Sequence, residues 1–322
     1  MIRRSASSPA AAAALSAVLV LLVGCSSEPS ATAPATPTVT VTTTVTASPS
    51  ESPSESPSES PSETPSETPS GSPATSASPS SPAPEPGTVP PAWLGTRVLP
   101  TTAAGYGEIR PTPKALRDRR FTLPDSVPML PGTGFASRVT SPAPADVVAR
   151  STWVRGCPVK ASDLAWLRLT FWGFDNARHT GELLVNASVA DDLVQVFGDL
   201  YAARFPIEEM RITTRAELDA PPTGDGNDTG AFNCRPKAGQ TSGFSEHAYG
   251  LAIDVDPFQN PYVKGSLVLP ELASSYVDRA DVRPGMILPG GPVVRAFARI
   301  GWGWGGDWHT LKDLQHFSQN GT

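Results

Sequence analysis

The stretch Ala165-Trp-Leu-Arg-Leu-Thr-Phe-Trp172 alternates so that Leu167, Leu169 and Phe171 fall on one face, the pattern of a half-buried strand. Gly173 to Gly181 then turns the chain, placing His179 on the surface, and Glu182 to Asn186 can return as a second strand. Ser188 followed by Asp191 has the form of a capping box. The helix after it sets Leu193, Val196, Phe197 and Leu200 on one stripe and ends before Pro206. Further along, Met210 to Thr214 and Leu251 to Val255 read as short strands, and Pro292 to Ile300 as a helix opened by its proline and closed by Gly301. Strands and helices mix without a regular βαβ rhythm, which predicts an α+β domain with a small mixed or antiparallel sheet and packed helices.

Outward from this core the composition changes sharply. All 23 aromatic residues lie at or after Trp93, and the stretch from Ser26 to Thr96 has seven Glu and no Lys or Arg. Sixteen of the chain's 36 prolines fall between Ser26 and Trp93. A segment so poor in apolar groups cannot offset its ordering entropy. The repeat Glu-Ser-Pro-Ser, drifting to Glu-Thr-Pro-Ser between Glu51 and Ser70, favours extended chain. Residues 25 to 92 are therefore expected to be a disordered stalk, and residues 150 to 322 the folded domain. The Pro-rich stretch 93 to 149 carries Trp93, Tyr106, Phe121, Phe135 and several Arg, and reads as an ordered wrap, the alternative being more linker. The net charge of −6 divides into +2 from Arg3 and Arg4, −7 from the stalk and −1 from everything after it. A nearly neutral folded part argues against nucleic-acid binding, which needs a basic surface.

The N-terminus has Arg3 and Arg4, an Ala/Leu/Val run, and Leu22-Val-Gly-Cys25. This is the form of a signal segment over residues 1 to 24, and the tetrapeptide resembles the lipobox of bacterial lipoproteins, which implies lipidation of Cys25. A plain secretory signal or an uncleaved membrane helix is the alternative. The run is short for a membrane span, and a cysteine leading into a Ser/Thr/Pro stalk suits an anchor. The expected location is the bacterial cell envelope, on the outer face of the cytoplasmic membrane. Beyond Cys25 only Cys157 and Cys234 remain, and an even pair in an oxidising compartment is most simply a disulfide. Closing such a loop is worth on the order of 4 kcal/mol in the chain-entropy account.

Four histidines exist, and two of them sit in chemical contexts. In Ser245-Glu-His-Ala-Tyr-Gly-Leu-Ala-Ile-Asp254, His247 precedes the expected strand, and alternation turns Asp254 away from the side of Leu251, Ile253 and Val255. One loop histidine and one strand carboxylate can meet at a metal, and Zn²⁺ takes such N and O ligands. The C-terminal run Trp302-Gly-Trp-Gly-Gly-Asp-Trp-His-Thr-Leu-Lys-Asp-Leu-Gln-His316 offers a third ligand in His316, with Asp313 three residues before it. A carboxylate beside a zinc site can take the proton of an activated water.

Taken together, Ser-x-His-x-x-Gly-x-Ala-x-Asp, Trp-Gly-Gly-Asp-Trp and Asp-x-x-His-Phe resemble the VanY-type D-alanyl-D-alanine carboxypeptidases and the related L-alanyl-D-glutamate peptidases. The similarity covers about residues 150 to 318. The resemblance implies a hedgehog/DD-peptidase-like fold, Zn²⁺ as cofactor held by His247, Asp254 and His316, and Asp313 as general base. His309 imitates a ligand of the dipeptidase branch, but the position three before it is Gly306, which cannot act as a base, so His316 is preferred.

A substrate carboxylate needs a cation, and Arg235 is the best placed, with Arg215 as runner-up; the guanidinium fork suits bidentate binding. Ser245 is a candidate for a substrate hydrogen bond. Tyr249, Trp304 and Trp308 are candidates for cleft walls or for core. The expected activity is hydrolysis of peptidoglycan stem peptides, with a D-alanyl-D-alanine carboxypeptidase ahead of an L-alanyl-D-glutamate endopeptidase. The expected partners are the stem peptide and, through Cys25, the membrane, the chain acting as a monomer. A reading from another class is a non-catalytic wall-binding lipoprotein with a structural metal, which would need Asp307 or His309 as a fourth ligand.

Overall fold

A computed structural model describes residues 85–237, 240 and 242–322, which belong to one compact unit spanning Ser76–Thr322. The expected signal segment, Cys25 and the stalk up to residue 84 lie outside the described residues. The elements are β1 (Ser137–Thr140), α1 (Ala145–Arg150), β2 (Leu164–Trp172), β3 (Arg178–Asn186), α2 (Ala190–Ala202), β4 (Glu209–Met210), α3 (Arg215–Leu218) and β5 (Asp228–Thr229). They continue with β6 (Ala252–Asp254), β7 (Tyr262–Lys264), β8 (Leu267–Leu269), α4 (Pro292–Arg299), β9 (Gly303–Trp304), β10 (Lys312–Asp313) and β11 (His316–Ser318). Three small antiparallel sheets, β1-β2-β3, β6-β11-β9 and β10-β7-β8, and one parallel pair, β4-β5, make this an α+β fold. None of the described helices is long and apolar enough to cross a membrane.

The main core forms where the expected stripes meet. Leu167, Leu169 and Phe171 of β2 and Leu183 and Val185 of β3 pack against Leu193, Val196, Phe197 and Leu200 of α2. Phe297 of α4 stacks on Phe317 of β11 at 4.0 Å between ring centroids, which joins the first sheet's layer to the second sheet. Because side chains alternate along a strand, burying Phe317 in this core turns His316 to the opposite face.

Four local expectations are corrected. The hairpin turn is shorter than expected: Gly173 donates to the Ala177 carbonyl at 2.9 Å, and β3 starts at Arg178. His179 is therefore in a strand, stacked on Phe171 and flanked by Asp125 and Asp175, its Nδ1 lying 2.8 Å from Asp125. Ser188 caps nothing; the Asn186 side chain instead accepts from the Ser188 backbone N–H at 3.1 Å and starts the turn leading into α2. The capping box belongs to Thr214 and Glu217 at α3, and its helical turn is why the strand at Met210 stops there rather than running to Thr214.

The segment before β1 has almost no regular structure, yet it contributes to the interior. Leu99, Leu116 and Phe121 pack with Phe258, Leu272 and Tyr276 in a second cluster. Among them Arg119 is 2 % exposed and grips the buried Glu208 with two hydrogen bonds, Nε to Oε2 at 2.7 Å and Nη2 to Oε1 at 2.6 Å. Its Nη1 donates to the Asp225 carbonyl at 2.7 Å, and Phe258 and Phe121 lie against the guanidinium. An arginine removed from water needs this complete set of partners. Cys157 and Cys234 form a disulfide with their Cα atoms 5.9 Å apart, tying the loop before β2 to the segment that carries Arg235.

Candidate functional site

Antiparallel pairing of β6 with β11 sets His316 directly opposite Asp254. Opposed residues project from the same side of the sheet, so the imidazole and the carboxylate meet: His316 Nδ1 lies 3.0 Å from Asp254 Oδ1. His247, in the single helical turn Glu246–Tyr249 before β6, comes over them, with its Nε2 3.1 Å from Asp254 Oδ2 and 3.1 Å from His316 Nδ1. One ligand atom from each of the three residues lies within 4.8 Å of the others. The His247 tautomer follows from its other nitrogen. Nδ1 is 2.6 Å from the Ala231 carbonyl, which can only accept, so Nδ1 carries the proton and the Nε2 lone pair faces the cluster. Ala231 is held there because Gly230 and Asp254 exchange backbone hydrogen bonds at 3.0 and 2.9 Å.

The charges agree with a cation site. Burial alone would raise the Asp254 carboxyl, but the pull of the His247 and His316 rings, whose nitrogens stand 3.1 and 3.0 Å from its oxygens, outweighs it and holds the group well below the usual carboxylate range. For His316, burial works against protonation while the hydrogen bond and charge of Asp254 raise its pKa. Two buried imidazoles and a half-buried carboxylate, aimed at one point, are the donor set that a divalent ion such as Zn²⁺ takes while keeping a further position free. Asp307 and His309 are both exposed and lie outside this group, so neither completes it as a fourth ligand.

Asp313 comes from β10, which pairs with β7 in the third sheet. Its Oδ1 accepts from the Gln315 amide at 3.1 Å. Burial and the charge of Asp254 push its pKa up to about 6, against the opposing pull of His316. The Trp-Gly-Gly-Asp-Trp run is what lets this carboxylate come in. A Cβ on Gly305 would stand 2.5 Å from the Asp313 carbonyl oxygen and 2.8 Å from its Cβ, and one on Gly306 would stand 2.3 Å from the Trp304 ring. Trp304 is core, its indole N–H given to the Leu314 carbonyl at 2.9 Å. Trp308 is a wall, tilted against His316 with ring centroids 5.5 Å apart.

The three clustered residues and Asp313 line a depression of about 280 Å³, with Arg235, Ser245, Tyr262 and Trp308 among its other walls. A second depression, also about 280 Å³, shares Arg235, His247 and Asp254 with the first and continues to Arg211 and Asp228. Arg215 is elsewhere engaged, donating to the Thr152 carbonyl at 2.6 Å. Tyr249 is half-buried and is not among the residues lining either depression. Residues 238–319 match a family model described as D-alanyl-D-alanine carboxypeptidase. The match covers 82 of the chain's 322 residues. The resemblance read from the sequence thus holds over the part of the carboxypeptidase family that spans His247, Asp254, Asp313 and His316, whereas Arg235 lies upstream of the match. No curated protein and no solved structure matches the chain. Sequence reasoning missed Tyr262 and Gln315 as residues of the site; both lie in short segments whose side chains carry no periodic signal.

Proposed function

We propose that the chain is a zinc-dependent peptidase of peptidoglycan stem peptides, acting as a D-alanyl-D-alanine carboxypeptidase, anchored through Cys25 to the outer face of the cytoplasmic membrane. The observation that carries the reading is the convergence of His247, Asp254 and His316, with a further carboxylate, Asp313, lining the same depression. A zinc ion bound by the three would supply the Lewis acidity that makes water nucleophilic near neutral pH. Asp313, as the carboxylate, takes the proton of the attacking water and passes it to the leaving amine. Arg235, a cation on the wall of the depression, suits the terminal carboxylate of the substrate, and Ser245 beside it offers a hydroxyl. Arg215 lines neither depression, which favours Arg235 for that role. Replacing Asp313 by Ala should abolish turnover while metal content stays at one equivalent. Turnover at the unaltered rate would remove Asp313 from the mechanism.

A second reading, cleavage within the peptide as by an L-alanyl-D-glutamate endopeptidase, draws on the second depression. A groove that continues on the far side of His247 and Asp254 leaves room for substrate on both sides of the scissile bond. The product mass separates the two: loss of one D-Ala, or release of a longer peptide.

A further inference from the structure

We propose that Tyr262 is a catalytic residue whose hydroxyl donates a hydrogen bond to the substrate oxygen that gains negative charge as the scissile carbonyl becomes tetrahedral. The inference rests on the peptidase reading above. In the β7–β10 pair Tyr262 is directly opposite Asp313. Opposed residues share a face of the sheet, so the phenol and the carboxylate leave it together, and both line the depression that contains His247, Asp254 and His316. The ring is half-buried. No hydrogen bond engages its hydroxyl among the described residues, although burial and the charges of Asp313 and Tyr106 push its pKa above 10.0. It is therefore a protonated donor at neutral pH, held in a cleft wall without a hydrogen-bond partner among the described residues, where a tyrosine usually has one.

Several other donors near the site are already committed, and Lys237, Gln240 and Lys264, which also line the depression, are exposed rather than shielded. The Trp304 and Trp308 indoles give their N–H groups to the carbonyls of Leu314 and Gly321, the Gln315 amide to Asp313, and the Lys312 ammonium to Gly306. Arg235 is assigned to the terminal carboxylate. An oxyanion needs a donor fixed in advance and partly shielded from water, and Tyr262 meets both conditions.

The test is Tyr262→Phe in the full chain, loaded with zinc, on a muropeptide that the unaltered protein cleaves. The change removes one oxygen and keeps the ring. The expected result is a kcat lower by about a hundredfold, the order seen when a single oxyanion donor is removed, with KM and bound zinc essentially unchanged. Affinity for a phosphinate mimic of the tetrahedral species should fall by the same factor, while affinity for the cleaved peptide should not. A merely structural tyrosine would not separate those two affinities, and a melting temperature confirms that the variant is folded. A kcat within about twofold of the parent, or a loss confined to KM, overturns the assignment. An unaltered protein that cleaves no muropeptide overturns the peptidase reading and this inference with it, whereas an active parent with an equally active variant overturns only the inference.

Discussion

Replacing Arg119 by Met should cost stability out of proportion to a single residue in a loop-rich segment. The side chain is 2 % exposed and gives three hydrogen bonds of 2.6 to 2.7 Å, two to Glu208 and one to the Asp225 carbonyl. Removing it leaves the Glu208 carboxylate buried, with the Asn227 amide at 2.8 Å as the only remaining side-chain donor among the described residues. Breaking one side of such a pair costs about 3 to 5 kcal/mol, chiefly through the uncompensated charge. For a folded part of this size that is a fall in melting temperature of roughly 10 °C. The pH dependence gives a sharper check. Burial already raises the Glu208 pKa above 4.5, against the lowering pull of Arg119. Without Arg119 the native carboxyl binds its proton more tightly still, so the cost of the substitution should shrink as pH falls from about 7.5 towards 5. Adding Glu208→Gln, which removes the stranded charge, should recover part of the loss at pH 7.5. The assay is urea unfolding of the parent, both single variants and the double variant. A loss below about 1 kcal/mol for Arg119→Met, or a double variant no more stable than that single one, would refute the claim that this pair fastens the N-terminal segment to the domain.

Three further outcomes follow from the site. Because Asp313 accepts a proton only as the carboxylate, kcat/KM should rise with pH as that group titrates and level off above it; burial and the charge of Asp254 push its pKa up to about 6 and a bound divalent ion opposes them, so the rise should lie at or below about pH 6, and a profile with no acid limb would remove it as base. Gly305→Ala places a Cβ 2.5 Å from the Asp313 carbonyl oxygen, so it should displace β10 and lower kcat by about a hundredfold with metal retained. His309→Ala should leave metal binding and turnover unchanged, whereas His316→Ala should abolish both, as read by metal analysis and product formation.

The sequence made the long elements legible because each buries one face of a regular period. The alternation of Leu167, Leu169 and Phe171 and the stripe from Leu193 to Leu200 specify β2 and α2 without reference to anything else. The two- and three-residue strands β4, β5, β7, β8 and β10 have no period to read, since their pairing is decided by what lies across from them. Turn chemistry misled at Ser188 because Asn186, two residues earlier, offers a carboxamide oxygen that competes for the same backbone N–H. His247, Asp254, Asp313 and His316 are singled out by their motifs, and the β6–β11 register supplies the reason the motifs carrying Asp254 and His316 meet. Arg119 was invisible, because an arginine in a Pro-rich stretch reads as solvated until Glu208, far along the chain, is seen to close on it. Tyr262 was hidden in the same way, its partner Asp313 being identified only by strand pairing.

The central claim, metal-dependent hydrolysis of stem peptides, is tested most directly by mass spectrometry of purified muropeptides incubated with the full chain, with added Zn²⁺ and with a chelator. The account predicts loss of one terminal D-Ala from pentapeptide muropeptides when zinc is present, and no change when it is chelated. Muropeptides unaltered in every condition, with one equivalent of zinc bound, would contradict it.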